Sequence, residues 1–167
     1  WRQAVVYQIY PKSFQDSGDK GTGDLQGIIQ RLDYLQQLGV DALWLTPIYS
    51  SPQIDNGYDI ADYYAIDPAF GSMADFEQLV SACKQRGLHI IMDMVFNHTS
   101  TEHVWFKTAL RDPQSRFRDF YIWRDPVNGN EPNNWQSKFG GNAWAFDQSS
   151  NQYYLHLFSE QQADLNW

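Results

Sequence analysis

The chain has 167 residues, 43% of them hydrophobic, one cysteine and a formal net charge of −8. That is apolar material for a single core, and the acidic balance argues against a nucleic-acid partner, because binding a phosphate backbone needs a basic surface. It leaves room for one small phosphorylated ligand, which needs only one or two local cations. No run of about eighteen apolar residues occurs, so no membrane partner is expected, and no charged-then-apolar leader opens the chain. The first residue is Trp1 rather than Met, which reads as a start inside a longer protein.

Taken in order, Val5–Tyr10 is a β-branched and aromatic run that predicts a buried strand. Leu25, Ile28, Ile29, Leu32, Leu35 and Leu38 follow at three- and four-residue steps, one face of a helix that Gly39 stops. Val40–Thr46 reads as a second strand, closed by Pro47. Ser72 with Asp75 resembles a capping box opening a helix to about Arg86, before Gly87. Leu88–Val95 reads as a third strand. Cys83 lies on the apolar face of that second helix with Phe76, Leu79 and Val80, so it reads as a small core hydrophobe and fits a reducing compartment.

Strand, helix, strand, helix, strand implies parallel strands joined by right-handed crossovers, and three strands are too few to close a barrel. Beyond Thr99 one helix is expected, at about residues 101–110, then regularity fades into Pro-, Asn- and Gly-rich sequence from Arg124 to Asn142. Gln152–Phe158 alternates as a strand does. Residues 99–167 read as an irregular insertion after the third strand, on a first domain spanning residues 1–98.

In parallel α/β architectures the active site lies at the carboxyl ends of the strands. There the sequence places Asp93, Asn97 and His98 after the third strand, Asp55-Asn-Gly-Tyr-Asp59 after the second, and Pro11-Lys-Ser-Phe14 after the first. Each has a plainer reading: Asp93 as a structural acceptor, His98 as a satisfied core histidine, Asp59 as a loop carboxylate. These residues alone define an α/β domain with a polar cleft.

The motifs Asn56-Gly-Tyr-Asp-Ile60, Asp93-Met-Val-Phe-Asn-His98 and Gln162-Ala-Asp-Leu-Asn166, in that order and spacing, resemble the α-amylase clan. Val6-Tyr-Gln-Ile-Tyr-Pro11, Asn133-Asn-Trp135 and Tyr153-Tyr-Leu-His-Leu-Phe158 extend the resemblance over the whole chain, toward the branch of oligo-1,6-glucosidases and trehalose-6-phosphate hydrolases. The resemblance implies the first three strands of a (β/α)8 TIM barrel and the small domain inserted after the third. It implies a retaining glycoside hydrolase whose nucleophile Asp and acid Glu lie beyond Trp167, so that the chain by itself is inactive.

The same resemblance assigns Tyr58 to stack under the non-reducing glucose, Asp59 to accept from hydroxyls at that sugar's closed end, and His98 to donate to its 6-hydroxyl. Asp93 and Asn97 hold the loop, and Phe139 and Phe158 stand as aromatics at the pocket mouth. Asp59→Ala is then expected to leave the fold nearly intact and to cut the specificity constant steeply. Ser137-Lys-Phe-Gly-Gly141, with Ala163 where oligo-1,6-glucosidases carry Pro, favours the phosphorylated disaccharide. Lys138 is the expected phosphate-binding cation, with a solvated surface lysine as the alternative; Lys12 is a second candidate.

The expected reaction is hydrolysis of α,α-trehalose 6-phosphate to glucose and glucose 6-phosphate. The alternatives are oligo-1,6-glucosidase or dextran glucosidase action and a non-catalytic, α-amylase-like binding protein. A cytoplasmic monomer needing no cofactor is expected. Many relatives carry a calcium cage, Asp-x-Asn-x-Asp-x-x-x-Asp, after the first strand. Here Asp16-Ser-Gly-Asp-Lys-Gly-Thr-Gly-Asp24 keeps Asp16 and Asp24 but places Lys20 at the middle Asp, so a weak or absent site is expected, with Lys20 as counter-charge.

Overall fold

The structure, a computed structural model, describes residues 2–167. Contacts divide the chain into two units, one formed by the residues up to Ser50 with Tyr63–Met94, the other by Ser51–Asp62 with Val95–Trp167. The segment after the second strand therefore groups with the later half of the chain, unlike a division at residues 98 and 99. Its hydrogen bonds explain this: the Ser100 N–H donates to the Ile60 carbonyl at 2.8 Å, and the Gln162 amide donates to Asp55 at 2.9 Å.

The first half of the chain carries strands β1 (Val6–Ile9), β2 (Ala42–Leu45), β3 (Tyr49–Ser50), β4 (Asp62–Ile66) and β5 (His89–Met92). It also carries helices α1 (Pro11–Phe14), α2 (Leu25–Gln30), α3 (Leu32–Gln37) and α4 (Met73–Gln85). The sheet β1-β2-β5 is parallel, with Val6 beside Ala42 and Ala42 beside His89, as the alternating pattern predicts. The helix read over Leu25–Leu38 is broken in two: Arg31, at φ −104° and ψ 4°, leaves the α region, and its N–H turns back to the Ile28 carbonyl. The apolar stripe survives the break, since Leu25, Ile28, Leu32 and Leu35 are all completely buried against the sheet residues Ile9, Leu43 and Leu45.

The capping box is formed in full. Ser72 N–H donates to the Asp75 carboxylate at 2.7 Å, and the Asp75 N–H donates to the Ser72 hydroxyl at 3.2 Å. Gly39 (φ 80°) and Gly87 (φ 71°) take the left-handed conformation that ends a helix. Cys83 is buried in the core, where desolvation pushes its thiol up to about 11, the behaviour of an inert apolar residue.

The second unit is more regular than its composition suggests. After β6 (His98–Ser100) and α5 (Val104–Arg111) come a 3-10 turn at Arg118–Phe120 and strands β7 (Trp123–Arg124), β8 (Trp144–Asp147), β9 (Gln152–Leu155) and β10 (Gln162–Asp164). Strands β7, β9 and β8 form one antiparallel sheet, and β6 pairs with β10. The strand read over Gln152–Phe158 stops at Leu155. Phe106 of α5 is the centre of the aromatic core, edge-on to Tyr121 and Tyr154 at 5.0 Å. Buried Arg118 stacks 3.3 Å from the centre of the Trp123 ring and donates to the Ala109 carbonyl, Ser150 and Gln152, tying helix to sheet. Among the described residues no helix is long and apolar enough to cross a membrane.

Candidate active site

The turn Asp55–Asp59 is built around its last carboxylate. Asp59 is completely buried, and its two oxygens accept from the N–H groups of Ile54 and Asp55, each at 2.9 Å. Asn56, at φ 51°, and Gly57, at φ 96°, supply the left-handed backbone this reversal needs. The Tyr58 N–H closes the turn on the Asp55 carbonyl at 2.9 Å.

His98 opens β6 and is almost wholly buried. Its Nε2 lies 3.0 Å from the Tyr58 carbonyl oxygen, and its Nδ1 lies 3.2 Å from the side-chain nitrogen of Asn97. That nitrogen also lies 3.3 Å from Asp164 Oδ1, which identifies it as the amide NH2. A carbonyl on one side and an NH2 on the other define one neutral tautomer, with the proton on Nε2 donated to Tyr58. Burial lowers the His98 pKa, partly offset by the Tyr58 carbonyl and by the charges of Asp55 and Asp59, so the ring is neutral at physiological pH.

The aromatic residues extend from this ring. Phe158 lies 5.3 Å from the His98 ring and Phe139 lies 5.8 Å from Phe158, edge-on, with Phe139 largely exposed. The Phe158 carbonyl accepts from the Ser137 hydroxyl at 2.6 Å, and the Lys138 N–H donates to the Leu157 carbonyl at 2.8 Å. The segment carrying Lys138 and Phe139 is thus pinned beside Phe158, with the Lys138 side chain exposed.

Tyr58, Asp59, Asn97, His98, Lys138, Phe139 and Phe158 therefore all belong to one unit. Asp93 belongs to the other, following β5, where its carboxylate accepts from the Trp44 indole at 3.3 Å. Two residues whose roles the sequence did not reveal join the first group. Gln162 is completely buried, donates to Asp55 and lies against the His98 ring; Asp164, buried to 4% exposure, pairs with His98 in the β6–β10 ladder and accepts from Asn97 and from the Leu157 N–H. Burial pushes the Asp164 carboxyl up to about 6, against those two donors. Both lie in the motif Gln162-Ala-Asp-Leu-Asn166, which carried the resemblance without assigning either a role, in a strand buried along its whole length.

The residues after β1 do not fit a calcium ion. Both oxygens of Asp16 accept backbone N–H groups, from Gly18 at 2.9 Å and Gly21 at 2.7 Å. Asp24 caps α2 by accepting the Gly27 N–H at 2.7 Å, and it also accepts the Ser17 hydroxyl at 2.7 Å. The Lys20 ammonium stands 3.8 Å from Asp24. Donors thus face the oxygens a cation would need, and Asp16 and Asp24, read as possible ligands, serve here as a turn acceptor and a helix cap. Among the described residues no group of three or more His, Cys, Asp or Glu is placed to hold a metal.

The parallel strand–helix scaffold is that of the α-amylase catalytic domain. The family model for that domain matches residues 8–167, and the chain belongs to this family. It is 63% identical to trehalose-6-phosphate hydrolase of Escherichia coli over its whole length and 56% identical to oligo-1,6-glucosidase of Halalkalibacterium halodurans. It spans 30% of the length of each. The crystal structure of Bacillus licheniformis trehalose-6-phosphate hydrolase superimposes with a TM-score of 0.97 at 60% identity, over all of this chain and 30% of that one. An isomaltulose synthase from Klebsiella gives 0.98 at 51% identity, with the same coverage.

Proposed function

We propose that this chain supplies the glucose-binding wall of a retaining α-glucoside hydrolase whose substrate is α,α-trehalose 6-phosphate. The reading rests on the single cluster in which the Tyr58 carbonyl, the Asp59 turn and the His98 ring meet, at the 3.0 Å contact between Tyr58 and His98. In this reading the Tyr58 ring is the stacking surface for sugar C–H groups, and Asp59, fixed by two backbone donors, is the carboxylate at the closed end of the pocket. The neutral His98 has both ring nitrogens engaged within the protein, so in this reading it backs the closed end of the pocket and fixes the Tyr58 main chain. A sugar that ends against buried groups cannot be extended at that end, so the pocket favours cleavage from the non-reducing terminus.

Double displacement then needs a carboxylate nucleophile and a carboxylic acid about 5–5.5 Å apart across the scissile bond. In this reading both are supplied by the protein beyond Trp167. The phosphorylated substrate is favoured by Lys138, an exposed cation anchored through its backbone beside the aromatics Phe139 and Phe158. The test is hydrolysis by the full-length protein of trehalose 6-phosphate, trehalose and isomaltose side by side. A strong preference for the phosphorylated disaccharide is expected. A preference for isomaltose replaces the reading with oligo-1,6-glucosidase action, and hydrolysis of none replaces it with a binding protein.

A further inference from the structure

Gln162 makes a set of contacts that packing alone does not require. Its side chain is completely buried, in β10, and its amide reaches three segments. Oε1 accepts from the Ser159 N–H at 3.0 Å, which fixes which end of the amide is NH2. Nε2 donates to Asp55 Oδ2 at 2.9 Å, across 107 residues of sequence, and lies 3.0 Å from His98 Nε2. Asp55 in turn touches every part of the turn: its N–H donates to Asp59, its carbonyl accepts from Tyr58, and its carboxylate meets Gln162.

We propose that Gln162 is a positioning residue for the closed end of the pocket, its buried amide fastening Asp55, at the head of the Asp55–Asp59 turn, to the strand pair that carries His98. The proposal rests on the glucose-pocket reading above. A bond between an amide donor and a carboxylate is charge-assisted, and in a site shielded from water it is worth more than a neutral one. Without it, the Asp55 carboxylate loses a buried donor and the turn that orients Tyr58 and Asp59 is held to His98 by fewer bonds. Gln162 touches no sugar in this arrangement and acts through Asp55.

The test is a polarity swap in the full-length protein. Gln162→Glu keeps the volume and the acceptor for Ser159 but sets two carboxylates against each other. Asp55→Asn keeps the shape but leaves at most a neutral amide oxygen in place of the carboxylate. The double variant Asp55→Asn with Gln162→Glu restores one donor facing one carboxylate in the reverse sense. Measured with whichever α-glucoside the wild type cleaves best, each single change is expected to lower kcat/KM by on the order of 10- to 100-fold, and the pair to recover at least about tenfold over the product of the two losses.

Losses that simply multiply, or a Gln162→Leu variant that keeps kcat/KM within about twofold of wild type, overturn the proposal. If the wild type cleaves no α-glucoside, the functional reading fails by itself, and the same cycle is then read from hydrogen exchange of the amides of residues 54–59. Protection lost in each single variant and regained in the pair upholds the positioning role; additive loss overturns it.

Discussion

The Tyr58 backbone carbonyl and the His98 ring meet at 3.0 Å although 40 residues separate them in sequence. The contact uses the main chain of Tyr58, so it is the backbone of the turn that fixes the imidazole tautomer. It also means that disturbing the turn alters the histidine. Substitutions at Asp59 and at His98 should therefore produce coupled, non-additive effects on kcat/KM, whereas two independent sugar contacts would multiply.

Asp59→Ala is no longer expected to leave the fold untouched. The Ile54 and Asp55 N–H groups both end on this buried carboxylate, and losing the acceptor leaves two donors unsatisfied at a cost of about 1–3 kcal/mol each. Asp59→Asn retains one acceptor oxygen. The expected outcome is that both variants lose most of kcat/KM, while Asp59→Ala also melts several degrees lower than Asp59→Asn in thermal unfolding of the full-length protein. Equal melting temperatures would show that the turn does not depend on this carboxylate.

Lys138 separates the two substrate readings. Lys138→Ala removes an exposed cation whose segment is held by backbone bonds, so the fold should be unaffected. KM for trehalose 6-phosphate is expected to rise about tenfold or more, with kcat little changed and with trehalose hydrolysis unaltered, because only the phosphate interaction is lost. An equal effect on both disaccharides would return Lys138 to the solvated surface.

The parallel sheet was legible in the sequence because apolar runs and helical stripes are local signals, and the capping box of Ser72 and Asp75 spans only four residues. The break at Arg31 was not legible, since the apolar stripe runs through it unchanged. The site was half legible. Tyr58, Asp59 and His98 lie in motifs whose spacing carries their resemblance, but Gln162 and Asp164 act across contacts of 64 to 107 residues that no periodicity encodes. Except for β9, the antiparallel strands of the second unit were hidden for a related reason. They are only two to four residues long, too short for alternation to stand out from Pro-, Asn- and Gly-rich surroundings.

The turn after β1 gives a prediction about metal. Asp24 is the cap of α2 and Asp16 is satisfied by two backbone N–H groups, so neither depends on a cation. Chelator or added calcium should leave the melting temperature of the full-length protein unchanged, while Asp24→Ala should cost about 1 kcal/mol through the lost cap. A calcium-dependent rise in melting temperature would contradict this arrangement.

Two buried groups give pH signatures of opposite sign. His103 caps α5 by accepting the Trp105 N–H at 3.1 Å, and burial lowers its pKa, partly offset by Asp62. Because the folded pKa lies below the unfolded one, this contribution to stability is present above pH 6.5 and is lost as pH falls toward the folded pKa, when Nδ1 gains a proton and ceases to accept. Asp164 behaves conversely. Its folded pKa, about 6, lies above the ordinary carboxyl value of 3.8, so folding favours the protonated carboxyl at low pH and that advantage disappears as pH rises from about 4 to about 6. A shift of that size corresponds to about 3 kcal/mol. Asp164→Asn removes the ionisation while keeping an acceptor for Asn97 and Leu157, so its stability relative to wild type should improve steadily between pH 4 and pH 7. His103→Asn should flatten the decline of the wild type below pH 6.5. Parallel denaturant titrations of the three proteins across this range read both effects, and a constant difference between Asp164→Asn and wild type at every pH would mean that Asp164 is already ionised in the fold at low pH.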